Sequence, residues 1–227
     1  MSRVAGEGMP DVRRAGVASV FVGRRHVPDR ARARAVLERT VAGWSEHPWP
    51  AGVLSFSCYL STEEDTVLTY AQCSDAYARG AFPDAPDGPA GRRAADDGVR
   101  TWPRAGAVEY RLRASVVPEG ASGAPACMVI ATFDVDDAGR QDAVIGSLVD
   151  ALRAHPAGRP PGMLSANFHA SVDATRVLNY AEWTSDEAHL AFLDSTARDA
   201  TMRASGGIPG VRPIGFQRYH LHRGMTR

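Results

Sequence analysis

The sequence predicts an α+β protein built from two tandem copies of one module, and three observations carry that reading. A collinear series of matches recurs at one offset along the 227 residues. Each half alternates apolar runs of strand length with stretches of helical periodicity. Both halves present these elements in the same order, the signature of an internal repeat.

The offset is 110 residues, set by Gly52-Val-Leu-Ser-Phe-Ser against Gly162-Met-Leu-Ser-Ala-Asn. At that offset Ser61 meets Ser171, Val67-Leu68 meets Val177-Leu178, Tyr70-Ala71 meets Tyr180-Ala181 and Pro103 meets Pro213. With a slip of a residue or two, His47-Pro48 meets His155-Pro156 and Tyr110 meets Tyr219. Chance yields one such match, not an ordered series.

In the first copy, residues 17–23 form a strand-length apolar run. Residues 29–46 follow, with Ala33, Val36, Leu37, Thr40, Val41 and Trp44 at helical spacing. His47-Pro48 then stops the helix, because proline disfavours helical backbone in the residue before it. Strands over 52–60 and 66–74 are joined by the short polar link Ser61 to Asp65, a hairpin signal. A second helical stretch and a last strand near 104–115 complete the copy.

The second copy repeats this with strand 127–134 and helix 137–154, whose periodic residues are Val144, Ile145, Leu148, Val149 and Leu152. Strands 162–171 and 175–183 follow, joined through Val172 to Ala174, then a helical stretch and a strand over 210–222. The order βαββαβ is the ferredoxin-like unit. Its antiparallel sheet carries helices on one face and leaves the other apolar. The expected arrangement is therefore an intrachain pseudo-twofold α+β barrel of two sheets. The expected boundaries are a flexible N-terminus over 1–15, a first repeat over 16–117, a Gly/Ala/Pro linker over 118–125 and a second repeat over 126–227.

Charge is balanced at 26 basic and 26 acidic residues, every basic one an arginine, with no run of one sign. Nucleic-acid and membrane-surface partners call for a basic patch, and none is visible. No stretch of about 18 apolar residues reads as a spanning helix, and residues 1–16 lack the apolar core of a secretory signal. Three cysteines, Cys58, Cys73 and Cys127, have no metal-ligand spacing; reduced thiols in a cytoplasmic protein are expected. There is no phosphate-cradling loop, dinucleotide fingerprint or nucleophile elbow, and the seven histidines fall into no ligand spacing. Any redox chemistry must use a substrate that activates itself or a cofactor held without a motif.

One segment resembles a known family. Pro161-Gly-Met-Leu-Ser-Ala-Asn-Phe-His-Ala-Ser-Val-Asp-Ala-Thr-Arg-Val-Leu-Asn-Tyr-Ala-Glu-Trp183, followed by Ser-Asp-Glu-Ala-His189, is similar to the antibiotic biosynthesis monooxygenases, especially to the small quinone-forming kind of actinorhodin biosynthesis. The likeness spans roughly 161–221 and recurs faintly in the first copy. It implies a cavity between the sheet and the second helix in which an anthrone-like phenolic polyketide is oxidised by O2 without a cofactor. It also implies the strand Asn and Trp of that site at Asn179 and Trp183 and the helix Arg at Arg203. Two tyrosines of the family site are replaced, by Phe168 and His189.

Strand alternation groups Asn179, Ala181 and Trp183 on one face, and Leu164, Ala166 and Phe168 on one face of the neighbouring strand. Asn167 and His169 point the other way. His189 and Arg203 would stand ~21 Å apart along an unbroken helix. They could line one pocket only if the helix restarts, and Asp194-Ser195-Thr196 offers cap residues for that. The candidate set is therefore Asn179, Trp183, His189 and Arg203 for catalysis, with Phe168, Leu164 and Ala181 against the substrate. His189 would act as base, Asn179 and Arg203 as oxyanion donors, and Trp183 and Phe168 as stacking walls. The first copy has Thr69, Cys73, Cys58 and Arg79 at the positions of Asn179, Trp183, Phe168 and His189, with Arg93 near that of Arg203, so one working site per chain is expected.

Two alternatives stand beside this reading. One is a ring-opening oxygenase of an angucycline-type polyketide using reduced flavin (FADH2 or FMNH2); the other is a non-catalytic polyketide-binding barrel. A monomeric pseudo-dimer and a homodimer are both compatible with the duplication.

Overall fold

A computed structural model describes residues 8–75, 107–154 and 160–227. Two compact units emerge. Unit 1 contains residues up to Glu109 together with Leu221–Arg227, and unit 2 is Tyr110–His220.

In unit 1, β1 (Ser19–His26) pairs antiparallel with β3 (Thr66–Cys73), which pairs with β2 (Val53–Ser61). The last six residues of β8 (Val211–Thr226) lie beside β2. Helix α1 (Arg30–Glu46) starts where the Asp29 carboxylate accepts from the Arg32 N–H. It buries Ala33, Val36, Leu37, Thr40 and Trp44, five of the six residues the periodicity selects. Trp44 stacks on Phe56 with ring centroids 4.3 Å apart and meets Trp49 edge-on at 5.2 Å. Trp44 and Phe56 belong to the buried core of unit 1. Burial pushes the Cys58 and Cys73 thiols up to about 12, so both are inert.

Of the expected flexible N-terminus, residues 8–15 are held. Val12 is buried, the Asp11 carbonyl accepts from Gln72 Nε2 at 2.7 Å and Arg14 donates to the Leu54 carbonyl at 2.9 Å. One buried valine and two long-range hydrogen bonds outweigh the local Gly-rich composition. The second helical stretch of the first copy, with Arg79 and Arg93, lies outside the described residues.

In unit 2, β4 (Val108–Val116) pairs with β6 (Met163–Ser171), β6 with β7 (Arg176–Trp183), β7 with β5 (Cys127–Val135), and β5 with β8, all antiparallel. Helix α2 (Ala138–Arg153) is capped by Asp137 and buries Val144, Ile145, Leu148, Val149 and Leu152, the five residues named by its periodicity. The second helix is broken as anticipated: α3 (Asp186–Leu193) ends, Ser195 caps, and α4 (Thr196–Gly206) begins. Helices α2 and α4 are tied by Ser147 Oγ donating to the Ala204 carbonyl at 2.9 Å.

The α+β class and the strand–helix–strand–strand order of each copy are as the sequence predicts. One face of the unit 2 sheet packs under the helices in a single apolar cluster containing Phe168, Ala181, Trp183, Leu148 and Ile145. No described helix is long and apolar enough to cross a membrane.

Candidate active site

The site is built on the helix-covered face of unit 2. Residues directly opposite each other on paired strands share a face, and the registers lay out two rows across five strands. Phe216, Ala131, Asn179, Phe168 and Ala114 form the first. Arg218, Val129, Ala181, Ala166 and Val116 form the second. Beyond them Trp183 stands between Cys127 and Met163. Alanines dominate the floor around Asn179, and each contributes only a methyl group, so the sheet surface is shallow there.

Asn179 sits mid-sheet between buried neighbours. Its side chain is partly accessible, yet Oδ1 is fully buried and accepts no hydrogen bond. An unsatisfied buried acceptor costs about 1–3 kcal/mol, and folding alone gives no return for it. Phe168, directly opposite on β6, and Ala181, two residues along β7, are buried as the alternation predicts.

Leu164 departs from that alternation. The β6–β7 register shifts between Met163 and Ser165, and it is Met163 that joins the cluster under the helices while Leu164 does not. A bulge inserts one residue and changes which side chains face the helices.

Trp183 closes β7 and its indole Nε1 is buried without an acceptor. Ser185 caps α3, its hydroxyl accepting from the Ala188 N–H, and the first turn carries His189 back over the sheet. The His189 ring is only 2 % exposed and is held between two aromatic edges. Its centroid lies 5.2 Å from that of Trp183 and 5.4 Å from that of Phe216, both near-perpendicular. Nδ1 of His189 is buried and unpartnered. Burial above all, then the positive charge of Arg218, lowers its pKa to about 4 against the opposing pull of Asp186. The imidazole is therefore neutral near pH 7 and free to accept a proton.

Arg203 is not brought to this group. It lies exposed on the last turn of α4. The arginine that does reach the site is Arg218 on β8, which sequence reasoning passed over. It shares its row with Ala181, is half-buried, and has a fully buried Nη1 without a partner. The only sequence signal for it was its alternation with Phe216 and His220 along the final strand.

Among the described residues no cluster of His, Cys, Asp and Glu could hold a metal. The Cys127 thiol is raised by burial and by its hydrogen bond to the Asp186 carboxylate, so it is no nucleophile.

No family model matches this chain, and no curated protein matches it either. Solved structures do. An anthrone oxidase-like protein is 15 % identical, covers 92 % of this chain and 93 % of its own, and superposes with a TM-score of 0.68. A candidate monooxygenase from Fusobacterium nucleatum is 11 % identical over 94 % of this chain and 96 % of its own, with a TM-score of 0.54. At such identities these establish a shared fold over nearly the whole chain. A Streptomyces coelicolor monooxygenase, solved with nanaomycin D, is 29 % identical over 45 % of this chain and 88 % of its own; its TM-score of 0.33 is too low for a fold to be read from it.

Proposed function

We propose that unit 2 is a monooxygenase site that oxidises a phenolic, anthrone-like aromatic polyketide with O2, as in antibiotic biosynthesis, without flavin or metal. The observation that carries the reading is the pairing of His189 with Asn179. A neutral, buried imidazole with a free Nδ1 and a mid-sheet amide with an orphaned Oδ1 occupy one helix-covered, alanine-floored face. The names of the structural neighbours, anthrone oxidase-like and monooxygenase, support the same class of chemistry.

The proposed reaction starts with proton transfer. Triplet O2 reacts slowly with closed-shell organic molecules, but an anthrone that has lost a methylene proton is an electron-rich anion. His189 accepts that proton at its unpartnered Nδ1. Donors on the same face, the Asn179 amide and the Trp183 indole, hold the delocalised oxyanion. The anion passes one electron to O2, and the radical pair collapses to a carbon–peroxide bond. Imidazolium returns its proton to the distal peroxide oxygen. The O–O bond then breaks as the second methylene proton leaves. One oxygen remains as the quinone carbonyl and the other departs as water, so the four electrons lost by the CH2 group match those gained by O2. Phe168 and Trp183 flank the flat substrate and exclude water.

Oxygen consumption with dithranol, with and without reduced flavin, tests this in the wild type and in Asn179→Ala, His189→Gln and Trp183→Phe. Uptake without flavin that all three variants weaken supports the proposal. Uptake that depends on flavin favours the ring-opening chemistry instead. Tight binding with no uptake leaves a polyketide-binding protein.

A further inference from the structure

Phe216 is a large apolar ring left 48 % exposed, yet it touches a group that is only 2 % exposed, the imidazole of His189. Three rings meet His189 among the described residues: Trp183 with centroids 5.2 Å apart, Phe216 at 5.4 Å and Phe192 at 6.2 Å. Trp183 is buried and Phe192 half-buried, so the water-facing member of the three is Phe216. A ring that keeps so much of its surface wet returns less to folding than one in the core. What Phe216 does cover is the imidazole.

The backbone of β8 is shaped to put it there. Val211 and Pro213 stand opposite Val135 and Phe133, which belong to the apolar cluster under the helices. Strict alternation from those two would run through positions 215 and 217 and turn Phe216 to the other face of the sheet. Instead Pro213 opposes Phe133 and Gly215 opposes the adjacent Thr132, so Ile214 is an extra residue with no opposite number on β5. Gly215 has φ +137°, a conformation that residues with a side chain resist. The bulge reverses the alternation, and Phe216 comes to lie opposite Ala131 on the helix-covered face.

We propose that Phe216 is a positioning residue that shuts water away from the ring of His189, aimed there by the bulge at Ile214 and Gly215. This rests on the reading of His189 as the base and adds the residue that keeps it dry. Water held off an imidazole disfavours its charged form, the direction in which the pKa of His189 is moved. The charged groups facing the ring are Arg218 from β8 and Asp186 from its own helix, of opposite sign, while β7 contributes the uncharged Trp183. Both charges stay in place when Phe216 is changed.

Two measurements on the full-length protein test this in the wild type, Phe216→Ala, Phe216→Leu and Ile214→Ala, with circular dichroism to confirm folding. One is the rate at which diethyl pyrocarbonate modifies His189 near neutral pH, read by peptide mass spectrometry against His26, whose side chain is 74 % exposed. The other is the pH titration of the His189 ring by NMR, its signals assigned with His189→Gln. In Phe216→Ala the relative modification rate should rise several-fold, and His189 should protonate at a proton concentration about tenfold lower than in the wild type. Phe216→Leu, a smaller apolar cover, should take intermediate values. Ile214→Ala, an apolar loss on the same strand, should match the wild type. Wild-type values in Phe216→Ala, or in Phe216→Leu should the alanine variant fail to fold, overturn the proposal, as does an equal change in Ile214→Ala. Intact dithranol oxidation without these contrasts sinks only the shielding; the contrasts without oxygen uptake sink only the oxidation.

Discussion

His189 meets Trp183 edge-on, ring centroids 5.2 Å apart and planes at 68°. The contact joins the last residue of β7 to the first turn of α3. His189 and Trp183 are thus positioned by one another rather than by separate scaffolds. Phe192 leans on the same indole at 5.2 Å and completes the packing.

The burial of His189 sets a pH dependence of stability. Its folded pKa is about 4, whereas an unfolded histidine takes up a proton near 6.5. Below that value the unfolded chain binds a proton that the folded chain refuses. Stability is therefore full above about pH 7 and declines as pH falls from 6.5 toward 4, by roughly 2–3 kcal/mol for this group. Urea unfolding at pH 7.5 and pH 5 should show the loss, and His189→Gln should flatten part of it. Buried His169, also lowered to about 4, and His222, lowered chiefly by burial, add to it.

The same shift places the acid limb of activity. With His189 as the base, kcat/KM for dithranol oxidation should hold down to about pH 5 and drop only near 4. A limb at 6–7 would assign the proton transfer to another group.

Asn179 should separate activity from stability. Removing its orphaned Oδ1 relieves a buried unsatisfied acceptor, so Asn179→Ala should unfold at an equal or higher temperature than the wild type. Loss of an oxyanion donor typically costs ~10²-fold or more in turnover. Calorimetry with oxygen-electrode rates tests the pair of outcomes; a variant both destabilised and active would return Asn179 to a structural role.

Gly162 should prove intolerant. Its φ is +81°, and a Cβ there would lie 2.5 Å from the Ala188 Cβ and 2.6 Å from Thr184 Oγ1. Gly162→Ala must therefore strain the backbone and push α3, with His189, off the sheet. A stability loss of about 1–3 kcal/mol with a larger fall in kcat than in substrate affinity is expected from denaturation and steady-state kinetics.

Trp44 provides the contrasting case. It is wholly buried, stacked on Phe56 in unit 1 and remote in sequence from every site residue. Trp44→Ala should cost about 3–5 kcal/mol and leave the turnover of the folded fraction unaltered.

Much of this was legible in the sequence because it is written locally. The α1 and α2 faces follow from spacing alone, and the α3–α4 break follows from Ser195, whose hydroxyl accepts from the Arg198 N–H. Asn179, Ala181 and Trp183 share a face because nothing interrupts β7. What sequence could not supply depends on pairing between distant segments. Leu164 follows a period of two that the bulge beside Met163 breaks. Arg218 gains its meaning only from standing opposite Val129 on β5, through a register that itself shifts between Thr132 and Phe133. Local helix signals carry no information on which arginine, 203 or 218, will stand opposite Val129 on β5.

The membership of β4 in unit 2 has a consequence for handling the protein. Its residues 110–116 come from the first sequence repeat, yet they are the strand beside β6, opposite Phe168 and Ala166. A gene cut at the 118–125 connection, the obvious place by sequence, would therefore deliver a second half in which the edge of β6 away from β7 is unpaired. Such a fragment would recruit whatever strand it meets, including another copy of itself. A piece that keeps β4 beside β6 begins before residue 108, eighteen or so residues earlier than the repeat suggests.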